Sequence, residues 1–524
     1  MREGGTIRGR IRPSCLVAFA LVLPAGCATV PSVPFTSGPS DLLEEAGAAL
    51  DAPPMDQVQW GVMVARVEED EEADARDGPN ITVVGERNAH RRFIPASNLK
   101  LPVTAAALSV LGPEFRYETS LYATGPRDGR FLRGDLVLPG VGDPTLGAPF
   151  HEDGHRALEA LADSVAASGI RVVEGALVVD ASAWDSTAVP PSWTVGSRGR
   201  TYGASGGAFA VDSGELRLEA RGAREPGEEA SVEWRPMGEA DFVDAQITTV
   251  GEEAAEGISG LRAAYRPETR RMEVRGTVAS GEVDTLRVAI QDPVRQASAL
   301  LHRLLRDRGV EAHFGLHILW DQGEQVGRGC LSGSIPECNE AWKVAGLESP
   351  PLSEVVEVAL SRSQNWTTEQ LVRTLGYEVH GRGSWGEGLR VVSDFLVDEV
   401  GVAPGDFVLR DGSGLSTHNL LTPRAVVRLL AHMQASEVGP TFRNTLPSPG
   451  EGSSTLESRL EGLEGRLNAK TGTLTHVNAL SGYLTRSDGS QLIFSIMANA
   501  SGLPAPEVRT VMDALVRSLS GEED

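Results

Sequence analysis

Ile94-Pro95-Ala96-Ser97-Asn98-Leu99-Lys100-Leu101-Pro102-Val103 is the stretch on which the reading turns. Pro95 opens an apolar helical run that continues through Leu111. Residues three apart share one helix face, so the amine of Lys100 can approach the hydroxyl of Ser97. The helix N-terminus adds positive potential, which favours a developing anion and disfavours an ammonium. A lysine that gives up its proton there can act as base for the serine. Ser-x-x-Lys alone fits many surface helices, but the apolar flanks on both sides argue for burial. The chain also has only three lysines, against 45 arginines, in 524 residues. A GC-rich genome explains the scarcity. The survivors are informative because arginine keeps its proton in proteins, whereas a lysine amine can be neutralised by burial and neighbours.

The second lysine lies in Lys470-Thr471-Gly472-Thr473, which precedes a hairpin and is expected to begin an edge strand. Its ammonium can bind a carboxylate, Thr471 can donate to the same group, and Gly472 lets a substrate lie against the backbone. The backbone N–H groups of Thr473 and Ser97 can together form an oxyanion hole. The third lysine, Lys343, is expected on the surface. Between the two active stretches, Ser363-Gln364-Asn365 interrupts two helical patterns. A hydroxyl and an amide from one loop can relay a proton and hold a substrate amide. Taken alone, the tripeptide fits a helix cap equally well.

Composition excludes some functions. Net charge is −24, which argues against nucleic acid and against adhesion to anionic lipid. Residues 1–27 read as an export signal: Arg2, Arg8, Arg10 and Arg12, then the short apolar run Leu16 to Leu23. Leu23-Pro24-Ala25-Gly26-Cys27 resembles a bacterial lipobox, with Cys27 as the lipidated residue, although Pro24 departs from the pattern. Ordinary signal cleavage and a retained segment are the alternatives. Any membrane contact is expected only through Cys27. Residues 28–40 read as a flexible tether. Removing 1–27 leaves Cys330 and Cys338, expected to form a local disulfide in an exported chain.

Strand patterns are expected at Trp60 to Val67, Ile81 to Val84, His476 to Leu484 and Gln491 to Ala498, with an acidic hairpin loop at Glu68 to Asp77. Helices are expected at Ala157 to Ser168, Ala297 to Gly309, Leu352 to Arg362, Thr367 to Gly376, Gly386 to Val400, Pro423 to Gln434 and Pro506 to Leu519. Residues 186–285 show no strong helical pattern and read as mostly β. His151-Glu152-Asp153-Gly154-His155 fits a zinc-site pattern, but Asp-Gly is turn chemistry and the helix is expected only after His155, so no metal is expected.

Ser97-x-x-Lys100, Ser363-Gln364-Asn365 and Lys470-Thr471-Gly472, in this order, resemble the penicillin-recognising serine enzymes. The 262 residues between Lys100 and Ser363 exceed what a β-lactamase-like core requires. That surplus resembles the D-alanyl-D-alanine carboxypeptidase/endopeptidase family of low-molecular-mass penicillin-binding proteins, the penicillin-binding protein 4 type. Gly142-Asp143-Pro144-Thr145-Leu146, Ser349-Pro350-Pro351-Leu352 and Asp411-Gly412-Ser413-Gly414-Leu415-Ser416 also resemble it. Gln364 departs, standing where many relatives have aspartate. The likeness spans about 41–520 and is weakest over 186–285.

The resemblance implies an α+β protein of the β-lactamase/transpeptidase type, a five-stranded antiparallel sheet flanked by helices, with a large, mostly β insertion of two nested domains. Residues 41–115 and 340–524 would form the catalytic domain, 116–185 and 286–339 the outer insertion domain, and 186–285 the inner one. It implies that Ser97 attacks, Lys100 takes the proton, and Ser363 passes a proton to the leaving amine. Asn365 would hold the acyl part, and Lys470 and Thr471 the terminal carboxylate. Substrates would be peptidoglycan peptides in the periplasm, with β-lactams as covalent inhibitors and no cofactor. The alternatives are a β-lactamase or esterase on the same fold, and a non-catalytic wall-binding protein.

Overall fold

The computed structural model describes residues 35–37, 44–68 and 80–521, apart from 188, 205, 236–242, 252–259, 270 and 321–340. The expected export signal with Cys27, most of the acidic loop, and the Cys330–Cys338 pair lie outside the described residues.

Both chain ends build the central sheet. Its order is Phe35–Ser37, Asn80–Arg87, Gln59–Glu68, Gln491–Asn499, Val477–Thr485, Leu467–Leu474. The last five strands pair antiparallel, as expected. Phe35–Ser37 adds a sixth, parallel edge strand beside Asn80–Arg87. These three residues fall within the tether read over 28–40, the rest of which lies outside the described residues. The Pro- and Ser-rich composition there carries no strand signal, and the pairing is supplied by a free sheet edge.

Strands covered on both faces carry apolar residues at alternate positions on each. Met63, Ala65, Ile493 and Met497 face a helical layer that includes Lys100–Leu111, Leu352–Ser361 and Pro423–Ala435. Val62, Val64, Phe494 and Ile496 face the opposite way, where Ala505–Ser520 packs. The same alternation decides Lys470. Its neighbour Ala469 belongs to the second face, so Lys470 points toward the helical layer.

The insertion has its own cores. One contains a five-stranded sheet ordered Leu316–Leu319, Leu177–Asp180, Leu136–Pro139, Glu118–Ala123, Trp342–Glu348, covered by helices Gly154–Ala167 and Pro293–Asp307. Another lies between two three-stranded sheets formed from residues 215–289. In Glu215–Arg221, Leu216, Leu218 and Ala220 point inward while Glu215, Arg217, Glu219 and Arg221 point out. Lys343 sits on the edge strand of the five-stranded sheet, half-exposed, in an ion pair with Glu118.

Candidate active site

Ser97 sits on a single tight turn, Ala96–Leu99, and the α-helix proper begins at Lys100. The expected helix is therefore split at its first turn, yet the three-residue spacing still brings the side chains together. Lys100 Nζ lies 3.2 Å from Ser97 Oγ, 2.7 Å from Asn365 Oδ1 and 2.7 Å from the carbonyl of Ser413. A neutral amine has two N–H donors and one lone pair. The two carbonyl oxygens take the donors, which leaves the lone pair for the Ser97 hydroxyl. Lys100 Nζ is buried because its helix is apolar on every side; Lys100 through Leu108 are all inaccessible. Burial pulls the amine down to about 7, with the carboxylates of Glu369 and Asp411 opposing the shift.

Those two acids anchor the loop that supplies the Ser413 carbonyl. Glu369 accepts from the backbone N–H of Gly412 (2.9 Å) and Ser413 (2.8 Å) and from Trp385 Nε1 (2.8 Å). Burial, then the nearby Asp411 charge, pushes its carboxyl up to about 7. Asp411 accepts from the N–H of Gly414 and Ser416, from Asn419 Nδ2 and from Trp193 Nε1.

Ser363 precedes the Asn365–His380 helix and holds a left-handed φ of 54°, as Ala96 beside Ser97 does at 47°. Such strain is concentrated at functional sites. Gln364 is the helix cap, accepting from the Thr367 N–H at 2.7 Å. The cap and the site thus share one tripeptide, and Gln364 does what a capping aspartate does. Asn365 Nδ2 donates to the Tyr202 carbonyl at 2.8 Å, so the insertion reaches the rim of the site.

Lys470–Gly472 form the opposite wall. A Cβ on Gly472 would lie 2.9 Å from the Pro95 carbonyl oxygen and 3.0 Å from the Ser97 nitrogen, so only glycine fits this approach. Thr473, next along the strand, is thereby held beside the Ser97 turn, with its hydroxyl accepting from Arg509 at 3.0 Å. Lys470 Nζ donates to the Thr471 carbonyl at 3.0 Å, and burial and then the Lys100 charge hold its amine well below the ordinary range. Thr471 Oγ1 donates to Thr455 Oγ1 at 2.8 Å. Beneath the turn, Asn98 Nδ2 donates to Ser481 Oγ (2.7 Å), which donates to Ser495 Oγ (2.9 Å), fastening the Ser97 turn to the sheet.

Glu369 and Thr455 were not foreseen. Glu369 follows Asn365 by four residues on one helix face, a spacing that could have flagged it. Thr455 carries no local signal. At the zinc-like motif, the Gly154–Ala167 helix starts one residue before His155, capped by Asp153, which leaves His151 outside it. The expectation of a helix beginning only after His155 is corrected, because the Asp153 side chain accepts from the Arg156 N–H at 2.8 Å and fixes the start.

Fold and site define a serine-type peptidase. A model of the D-Ala-D-Ala carboxypeptidase 3 (S13) family matches residues 43–520, and the chain belongs to that family. It is 33% identical to a D-alanyl-D-alanine carboxypeptidase of Actinomadura sp. (strain R39), covering 99% of this chain and 92% of that one. It is 24% identical to the D-alanyl-D-alanine carboxypeptidase DacB of Haemophilus influenzae, covering 83% and 86%. The crystal structure of penicillin binding protein 4 from H. influenzae superposes with a TM-score of 0.74 at 22% identity, covering 91% of this chain and 99% of that one. That protein has also been solved complexed with a β-lactam.

Proposed function

We propose that Ser97 Oγ attacks the carbonyl carbon of the D-Ala–D-Ala bond in peptidoglycan stem peptides while Lys100 Nζ takes its proton. The backbone N–H groups of Ser97 and Thr473 receive the developing oxyanion. Ser363 hands a proton to the leaving D-alanine nitrogen and is resupplied with the one that Lys100 took from Ser97, and the C–N bond breaks to leave an acyl ester on Ser97. Asn365 holds the acyl part. Lys470 and Thr471 hold the terminal carboxylate, a charge that would favour the protonated form of Lys470. Water then attacks the ester and frees Ser97.

One observation carries this reading: the buried Lys100 amine lies 3.2 Å from Ser97 Oγ while Asn365 Oδ1 and the Ser413 carbonyl each accept from it at 2.7 Å, so that in its neutral form the lone pair is left for Ser97. A β-lactam presents a reactive amide to the same serine, so acylation by penicillin is part of the proposal. Crosslink cleavage is a second use of the same acyl-enzyme. The catalytic work belongs to residues 41–115 and 340–524, apart from the strand Trp342–Glu348, which pairs into the insertion's five-stranded sheet. We place the protein outside the cytoplasm, in the periplasm, exported by residues 1–27 with Cys27 as lipid anchor and Cys330 bonded to Cys338. No helix among the described residues is long and apolar enough to cross a membrane. The test is D-alanine release from a stem pentapeptide, set against hydrolysis of nitrocefin. Release that disappears in Ser97→Ala supports the proposal; rapid nitrocefin turnover without release would favour a β-lactamase.

A further inference from the structure

A cavity of about 760 Å³ opens beside the catalytic loop. Gln364 and Thr367 line one side, and Arg362, the residue before Ser363, lies with them. The other side is the outward face of the sheet made by Ser231–Arg235, Glu215–Arg221 and Val283–Ala289. In that sheet Arg217 stands opposite Arg235 on one neighbouring strand and opposite Arg287 on the other. All three arginines line the cavity. Like charges directly opposite each other destabilise a sheet. A row of three at one register position is a cost that folding does not explain.

Carboxylates offset only part of this row. Glu219 lies 3.2 Å from Arg217 and Glu215 3.6 Å from Arg287. Asp212 accepts from the Gly154 N–H at 2.6 Å, and burial pushes its carboxyl up to about 6. Glu152 pairs with Arg156, and Asp153 caps the helix that follows. Arg235 and Arg362, both exposed, make no ion pair among the described residues. The cavity wall is also tied to the catalytic loop. Asp212, Ser213 and Gly214 all hold a left-handed φ, and Ser213 Oγ accepts from Gln364 Nε2 at 2.8 Å.

We propose that this cavity is a subsite for free carboxylates carried by a wall peptide longer than the D-Ala–D-Ala end that is cut, with Arg235 and Arg362 as its recognition residues. The inference rests on the proposed function. Guanidinium groups bind carboxylates in two parallel hydrogen bonds, which suits a row of forks with open donors. Contact with Gln364 places the bound chain next to the loop that carries Ser363 and Asn365. A phosphate-bearing wall polymer would satisfy the same arginines, but nothing about it would require a cavity adjoining a peptidase loop.

The experiment uses the full chain and three substrates. The first is an N-acylated D-Ala-D-Ala peptide with no carboxylate but its terminal one. The second is a stem pentapeptide with its internal carboxylates free, and the third is the same peptide with them amidated. Arg235→Glu should lower kcat/KM on the free pentapeptide about tenfold, the loss of one charge-assisted contact. The other two substrates should change less than about twofold, within the scatter of a distant surface substitution. Arg235→Lys should keep most of the preference. Unchanged labelling by fluorescent penicillin controls for folding. Equal losses on all three substrates, or no loss on the free pentapeptide, would overturn the proposal. So would stronger Arg235-dependent inhibition by inorganic polyphosphate than by the pentapeptide's product. If the wild type cleaved none of the three, the proposed function itself would fail instead.

Discussion

At the residue scale, Lys100 is the proposed base because burial has removed the usual reward for holding a proton. Below its pKa the lone pair is occupied and Ser97 has no base; above it the base is free. The acylation rate should therefore rise with pH through about 7. Lys100→Arg should cost roughly a thousandfold at every pH, within the range for loss of a general base. Glu369 stabilises the ammonium, so Glu369→Gln should move the acid limb of the pH profile to lower pH. It should also lower stability by about 2 kcal/mol, since three buried N–H groups lose a charged acceptor; a pH–rate series and a denaturant titration read both effects. Lys470 drew notice because lysine is so scarce, and the approach of Lys100 to Ser97 and the burial of Lys100 were legible from the spacing and the apolar flanks. Glu369 and Thr455 were not, because their partners are distant in sequence: Gly412 and Ser413 for one, Thr471 for the other.

At the scale of elements, the site is a close approach between a turn and an edge strand. Gly472 permits it. Gly472→Val should push the strand from the Ser97 turn and lower kcat/KM roughly a hundredfold, the cost of misplacement by about an ångström. Stability should fall as well, since Gly472 is buried against the backbone of the Ser97 turn. Gly414 is different. It holds φ +82°, and a Cβ there would come within 1.8 Å of the Ala96 carbonyl oxygen. Gly414→Ala should cost more than about 3 kcal/mol by thermal melting, combining strain with a backbone clash. The strands of the central hairpins and the final helix were readable from their periodicity. The division of the first helix at Lys100 was not, because a tight turn and an α-helical turn have the same three-residue pairing.

At the scale of the whole molecule, the insertion is bonded to the residues of the candidate site. The Trp193 indole reaches Asp411, the Tyr202 carbonyl holds Asn365, and Gln370 donates to the carbonyls of Gly142 (3.0 Å) and Gly207 (2.9 Å). Arg373 lies buried between Trp184 and Trp385, with its charge spent on the carbonyls of Gly383 and Asp185. Trp193→Phe should therefore slow acylation although it lies more than 90 residues from either serine, and should cost about 1.5–3 kcal/mol in stability, the value of a hydrogen bond to a charged group. A stopped-flow acylation rate that matched wild type would contradict this coupling. The central claim, that Ser97 is the nucleophile of an acyl-enzyme, is tested most directly by the mass of the intact protein after incubation with penicillin G. A stoichiometric adduct should appear on the peptide containing Ser97 and be absent from Ser97→Ala. An unmodified wild-type protein, or an adduct that survives in Ser97→Ala, would contradict it.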